Sequence, residues 1–273
     1  MSEPLNTLRY SGDEKKMAEE AAVFVIRTAM HAVSARGAFS FALSGGASPR
    51  QLYRDIACGI QEEPLEENTV GSMPHDCSFS SADRKSLLMP WKSTRIFWSD
   101  ERCVSPLDDR SNYRMARETL LNCPGPVEKN IFRMPAEKLP AREAALAYER
   151  DLCSCFNVEN GNLDEGFPVF DLIMLGMGDD GHTASLFPGD TVSLAETSNW
   201  VTAVDPPSYA NPPVTRLTLT LPVINHARCV LFFITGSDKA ALAEAIVSGR
   251  EKNLPASLVR PKNGCLHWFI AQR

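Results

Sequence analysis

The stretch VFDLIMLGMGDDGHTASLFPG, residues 169–189, decides how the chain is read. Val169–Leu175 is apolar apart from Asp171 and has the length and composition of a buried strand. The residues after it spell G-x-G-x-x-G at Gly176, Gly178 and Gly181. A dinucleotide-binding turn of that form needs a proper helix after the third glycine and an acidic residue closing the next strand. Asp205, just after Trp200–Val204, meets the second need superficially. Pro188-Gly189 fails the first, because it ends any helix after about two turns. The expectation is a polar loop at a strand end, built around His182, with no dinucleotide site.

The same alternation recurs outward in both directions. Ala38–Leu43 is a short apolar run followed by SGGAS, Thr94–Trp98 is followed by SDER, and Cys229–Ile234 by TGSDK. Trp200–Val204, Arg216–Leu221 and Leu266–Ile270 read as further strands. Helical spacing marks Asp13–Arg36, stopped by Gly37, then Asn112–Leu121, Ala141–Phe156 and Asp238–Ser248. Pro49–Cys58 reads as another helix, with Ser48 as its N-cap and Pro49 at its first position. SDERCVSPLDD reads as a polar loop. Strands alternating with helices predict a single α/β domain over 1–273: a doubly wound, mainly parallel sheet with helices on both faces, Rossmann-like in architecture. Residues 59–93, broken by Pro64, Gly71, Pro74 and Pro90, keep no period and are expected to be a mobile insertion.

Composition bounds the partners. A formal charge of −6 over 273 residues gives no general attraction to nucleic acid or to an anionic membrane, so an anion must be held by a local cluster. Eight cysteines are scattered, with C-S-C at 153–155 the one close pair and no C-x-x-C. That pattern predicts a reduced, cytoplasmic chain with no metal and no cofactor. The first residues lack a signal-peptide pattern and no apolar run approaches a membrane span. A small-molecule partner and a monomer or weak homo-oligomer are expected.

In a parallel sheet the polar turns after the strands share one edge, where ligands of open α/β sheets bind. In Ser44-Gly45-Gly46-Ala47-Ser48, two glycines let backbone N–H groups approach a ligand ahead of a helix N-terminus, which suits a phosphate. An ordinary strand-to-helix turn would look the same. Lys239 opens a helix against its dipole, which a bound anion would compensate. With Arg216 and Arg102 it makes a cationic cup. Taken alone, each of these residues reads as a solvated charge. His182 sits in a Gly/Asp-rich turn, suits a general base, and could be oriented by Asp179, Asp180 or Asp100. There is no G-x-S-x-G elbow, and Ser185, three residues on in an expected helical turn, is not placed to attack.

These segments resemble the 6-phosphogluconolactonase family, within the group that includes glucosamine-6-phosphate deaminase and isomerase. The matching runs are SGGASP at 44–49, FWSDER at 97–102, SNY at 111–113, FDLIMLGMGDDGHTASLFPG at 170–189, RLTLT at 216–220 and TGSDKA at 235–240. The resemblance implies hydrolysis of 6-phospho-D-glucono-1,5-lactone, a sugar-phosphate lactone of the oxidative pentose phosphate pathway. It implies a catalytic set of His182, Asp180, Asp100 and Arg102, and a substrate-binding set of Ser44, Gly45, Gly46, Ser48, Arg102, Asn112, Arg216 and Lys239. Arg102 is left between phosphate and oxyanion. Deaminases of the group carry a glutamate shortly after the histidine, where this chain has Ala184-Ser-Leu-Phe-Pro188. A non-catalytic sugar-phosphate sensor is the reading from another class.

Overall fold

The computed structural model describes residues 7–61, 86–138, 140–156 and 163–271. In chain order its elements are β1 (Thr7–Gly12), α1 (Glu14–Arg36), β2 (Phe39–Leu43), α2 (Arg50–Cys58), β3 (Ile60–Gln61), β4 (Ser86–Leu87), β5 (Thr94–Trp98), β6 (Asp100–Arg102), α3 (Asn112–Ala116) and α4 (Ala141–Cys155). Then come β7 (Leu163–Asp164), β8 (Phe167–Pro168), β9 (Leu172–Leu175), α5 (Thr191–Leu194), β10 (Val201–Val204), β11 (Arg216–Leu219), α6 (Leu221–Asn225), β12 (Cys229–Thr235), α7 (Ser237–Val247) and β13 (Cys265–Ala271).

The apolar runs become a six-stranded sheet in the order β1-β13-β12-β9-β2-β5, parallel throughout. Every residue of β2 and β9 is buried, as strands covered on both faces require. Side-chain alternation along β13 shows the two layers. His267 and Phe269 meet Phe24 of α1, while Leu266 and Trp268 line a groove with Ile246 and Val247 of α7. α1 begins where Asp13 accepts the Lys16 N–H at 3.0 Å and ends at Gly37 in the left-handed region, φ 78°. Its buried stripe is rich in alanine (Ala18, Ala21, Ala22, Ala29, Ala32), and small side chains let a helix lie close on its neighbours.

Several sequence expectations need correction. SDERCVSPLDD is not all loop: β6 pairs antiparallel with β11, which pairs antiparallel with β10, in a separate three-stranded sheet. Trp200–Val204 and Arg216–Leu221 therefore lie outside the parallel sheet. Three charged residues carry no hydrophobic period, so β6 gave no signal. The β1 edge strand was likewise not expected. Ser48 is not the cap of α2: Pro49 occupies the cap position without a side-chain bond, and the Ser48 hydroxyl is 2.7 Å from that of Thr235. Ser185 is not on a helical turn, because Thr183 and Leu186 form an antiparallel bridge and Ala184 has φ 48°. α3 widens into a π-type turn over Arg117–Leu121, where the Thr119 hydroxyl donates to the Met115 carbonyl at 2.8 Å. Most of the expected insertion, 62–85, lies outside the described residues; just before and after it, β3 and β4 pair with each other.

One residue joins the two sheets. Ser99, fully buried, lies between β5 and β6; its N–H donates to Leu43 O and its carbonyl accepts from Leu219 N, both at 2.8 Å. Among the described residues no helix is long and apolar enough to cross a membrane.

Candidate active site

The strand-end turns after β2, β5, β9 and β12 meet on one edge of the parallel sheet, and β6 and β11 close the same hollow from the side. The His182 turn is the most constrained part. Asp180 Oδ1 accepts from the His182 backbone N–H at 3.1 Å and lies 2.6 Å from its Nδ1. A carboxylate on Nδ1 fixes the tautomer with the proton there and leaves Nε2 as the basic nitrogen. Burial pushes the Asp180 carboxyl up, but the side-chain and backbone bonds from His182 outweigh it and hold it down at about 2, with help from the exposed Tyr209 hydroxyl. Gly178 explains itself here: a Cβ on it would run into the His182 ring and Asp180 Oδ1. Thr183, fully buried, secures the turn by donating to Gly176 O at 2.8 Å.

The His182 ring packs on Phe187, with centroids 4.7 Å apart, and the Arg216 guanidinium carbon lies 5.2 Å from the centroid of that same ring. Phe187 thus spaces the imidazole from the buried cation. Arg216 is 2% exposed; its Nη2 donates to Pro212 O at 3.0 Å, and its Nε is buried without a partner among the described residues. Desolvation pushes its pKa down, the charge of Asp100 opposes that, and the neighbouring Arg102 adds to it. Arg216 and Arg102 are register partners in β11 and β6. Arg102 donates from Nη1 to Arg110 O at 2.7 Å and also buries an Nε that has no partner among the described residues. Two adjacent guanidinium groups with unspent buried donors make a place for an anion.

Of the three carboxylates considered for His182, Asp180 is on the ring. Asp100 is buried and bonded elsewhere: it accepts from Ser185 Oγ at 2.8 Å and from Asn112 Nδ2 at 3.1 Å. It supplies counter-charge to Arg216. Asp179 points outward and reaches the Lys239 ammonium at 3.9 Å. Ser185 is consumed by Asp100, which removes it as a nucleophile.

Asn112 also donates to Asp100 O at 2.9 Å, and its Oδ1 is buried without a partner among the described residues. Gly45 lies against this amide so closely that a Cβ would overlap it. Ser44 is buried, with its carbonyl held by the Tyr53 hydroxyl at 2.8 Å, while Gly46 is exposed at φ 86°. Ser48 ties this loop to Thr235, and Thr235, Gly236, Ser237, Asp238 and Lys239 line a hollow of about 190 Å³ with Asp179. Contacts and chain neighbours together link Lys239 to Asp179 and Asp180, then His182, Phe187, Arg216, the Arg102–Asp100 strand, Asn112, Gly45, Ser48 and Thr235. The expected residues are brought to one rim.

Sequence reasoning missed Glu101. Its buried carboxylate accepts from Arg102 N at 2.7 Å, Ser111 Oγ at 3.0 Å, and Asn112 N and Tyr113 N at 2.8 Å each. Burial pushes its pKa up while the backbone bonds pull against it. It fixes the start of α3 and with it the position of Asn112. The pairing of DER with SNY ten residues on was the available signal, but nothing in the spacing says that the two segments touch.

A family model described as glucosamine-6-phosphate isomerases/6-phosphogluconolactonase matches residues 12–268. A 6-phosphogluconolactonase of Synechocystis sp. is 36% identical over 257 residues, covering 93% of this chain and 91% of that one. The Homo sapiens 6-phosphogluconolactonase is 35% identical over 263 residues, 96% and 89% of the two chains. Among solved structures, 6-phosphogluconolactonase from Trypanosoma brucei superposes with a TM-score of 0.77 at 25% identity, covering 98% of this chain and 97% of that one. The chain belongs to the glucosamine-6-phosphate isomerase/6-phosphogluconolactonase family.

Proposed function

We propose that the chain hydrolyses 6-phospho-D-glucono-1,5-lactone to 6-phospho-D-gluconate, with His182 as general base. The observation that carries this reading is the 2.6 Å His182–Asp180 pair, which faces a rim holding Arg216, Arg102 and Lys239. His182 Nε2 takes a proton from water as the water oxygen bonds to C1. The tetrahedral intermediate then expels the ring oxygen, which receives that proton back from the imidazolium. Asp180 stabilises the imidazolium in between. Gly45 and Gly46 offer backbone N–H groups to the 6-phosphate; Arg216 and Lys239 supply positive charge; Arg102 serves the phosphate or the oxyanion.

A lactone is an activated ester, so positioning and base catalysis, each worth on the order of 10² or more, suffice without a covalent intermediate. One feature favours the lactonase over the deaminase reading: residues 183–188 contain no carboxylate. The test is the initial rate on freshly made lactone, less spontaneous hydrolysis, for the native chain and His182→Ala. A fall of roughly 10²–10⁴ in the variant is expected. No rate above background in the native chain would reject the activity, and an undiminished variant would reject the base.

A further inference from the structure

The strand-start edge of the sheet, opposite the His182 hollow, carries a second cluster that the proposed reaction does not use. Cys229 opens β12 and Cys265 opens β13, and the two are register partners. His267, two residues along β13, points to the same face as Cys265. Both sulfurs and one imidazole nitrogen lie within 4.8 Å of one another. No sequence spacing announces the group, since Cys229 is joined to Cys265 through the sheet and not along the chain.

We propose that Cys229, Cys265 and His267 bind one thiophilic divalent cation of the zinc type, with water as the fourth ligand. The donor set is the first argument: two thiolates and an imidazole select zinc-like ions over magnesium or calcium. Distance is the second. Tetrahedral zinc places such ligand atoms roughly 3.5–3.8 Å apart, so small side-chain rotations close the cluster on the ion. The third is an unpaid polar atom: His267 is 3% exposed, and its Nδ1 is buried without a hydrogen-bond partner among the described residues. Native proteins rarely leave such a nitrogen unsatisfied. Charge is the fourth, because two thiolates and a neutral imidazole cancel a divalent cation. The loaded site is then neutral against the aromatic rings beside it, Phe24 at 4.3 Å and Tyr10 at 6.0 Å from the imidazole centroid. Cys229 is buried and Cys265 is partly exposed, so entry and the water ligand belong on the Cys265 side. On binding, the two thiol protons are released to solvent. β12 separates this cluster from the hollow by about 20 Å of strand.

The full chain, stripped with a chelator and kept reduced by a phosphine, is titrated with Co²⁺. The expected result is a thiolate-to-cobalt charge-transfer band saturating at one equivalent, displaced by one equivalent of Zn²⁺, and absent in Cys229→Ser and in Cys265→Ser. A second measurement needs no substitution: iodoacetamide labelling of Cys265, read by peptide mass spectrometry. With Zn²⁺ at roughly a hundred times its Kd, labelling of Cys265 slows about 100-fold while that of the exposed Cys58 and Cys153 is unchanged. The proposal is overturned by the lack of a band in the native chain, by a band that survives Cys229→Ser, or by Cys265 labelling indifferent to Zn²⁺.

Discussion

Replacing Asp180 by asparagine isolates the charge of the pair from its geometry. Asp180 Oδ1 accepts two donors, the His182 ring and its backbone N–H. Both require an acceptor at that position, so the asparagine turns its carbonyl oxygen toward them and the Nε2 lone pair of His182 is kept. What is lost is the negative charge. An ordinary aspartate sits near 3.8 and Asp180 near 2, a difference corresponding to about 2 kcal/mol in favour of the ionised carboxylate. Part of this belongs to the backbone N–H, and solvent reaches the pair, its side chains being 27% and 26% exposed. About 1–1.5 kcal/mol then remains for the imidazolium, or roughly a tenfold loss in kcat. Hydrolysis releases a proton from the new carboxylic acid, so rates are read directly by pH-stat with the spontaneous rate subtracted. Asp180→Ala, which loses the tautomer control as well, is the comparison and falls further. A variant Asp180→Asn as fast as the native chain refutes the reasoning.

Three other substitutions follow from the geometry. Arg216→Lys retains charge but not the planar fork, and removing a buried charge-assisted bond costs about 1.5–3 kcal/mol. Its KM should rise about 10–10²-fold, and inhibition by inorganic phosphate should weaken in parallel. Gly178→Ala pushes a methyl group into the His182–Asp180 pair; kcat should fall by on the order of 10² for an ångström of displacement, with KM and the circular dichroism spectrum nearly unchanged. Glu101→Gln places an amide N–H₂ among donors. At about 1–3 kcal/mol for one unsatisfied buried group, and about 2–4 °C per kcal/mol for a chain of this size, a melting curve should show Tm lowered by a few degrees to about 10 °C.

The sequence is most informative where a local rule operates. Each apolar run of the parallel sheet ends in a polar turn, and that punctuation alone places Gly45, His182 and Lys239 on one edge. His182 stood out because the turn around it contains glycines and carboxylates and Pro188-Gly189 leaves no room for a full helix after Gly181. Placing Asp180, not Asp100, on the imidazole requires the turn's own closure, with Gly178 donating to His182 O at 2.9 Å. β6 was hidden because its partner strand β11 lies more than a hundred residues away, and Glu101 because a charged triplet looks the same in a loop and its spacing to Ser111–Tyr113 announces no contact. The role of Ser48 was misassigned for a similar reason, since Thr235 offers a better partner than the helix end. The Cys229, Cys265 and His267 group exists through strand register alone, which spacing rules do not see.

β6 shows how narrowly the hollow depends on phase. Along Asp100, Glu101 and Arg102 successive side chains alternate faces: the outer two serve the hollow, and the middle one holds α3. Two unrelated tasks are thus interleaved in three consecutive residues. Deleting one residue after Ser99 would move Arg102 to the helix amides and turn Glu101 toward the hollow, both of the wrong sign for their new places. The length of this junction is therefore fixed, and a change of substrate preference here must proceed by replacement and not by insertion or deletion.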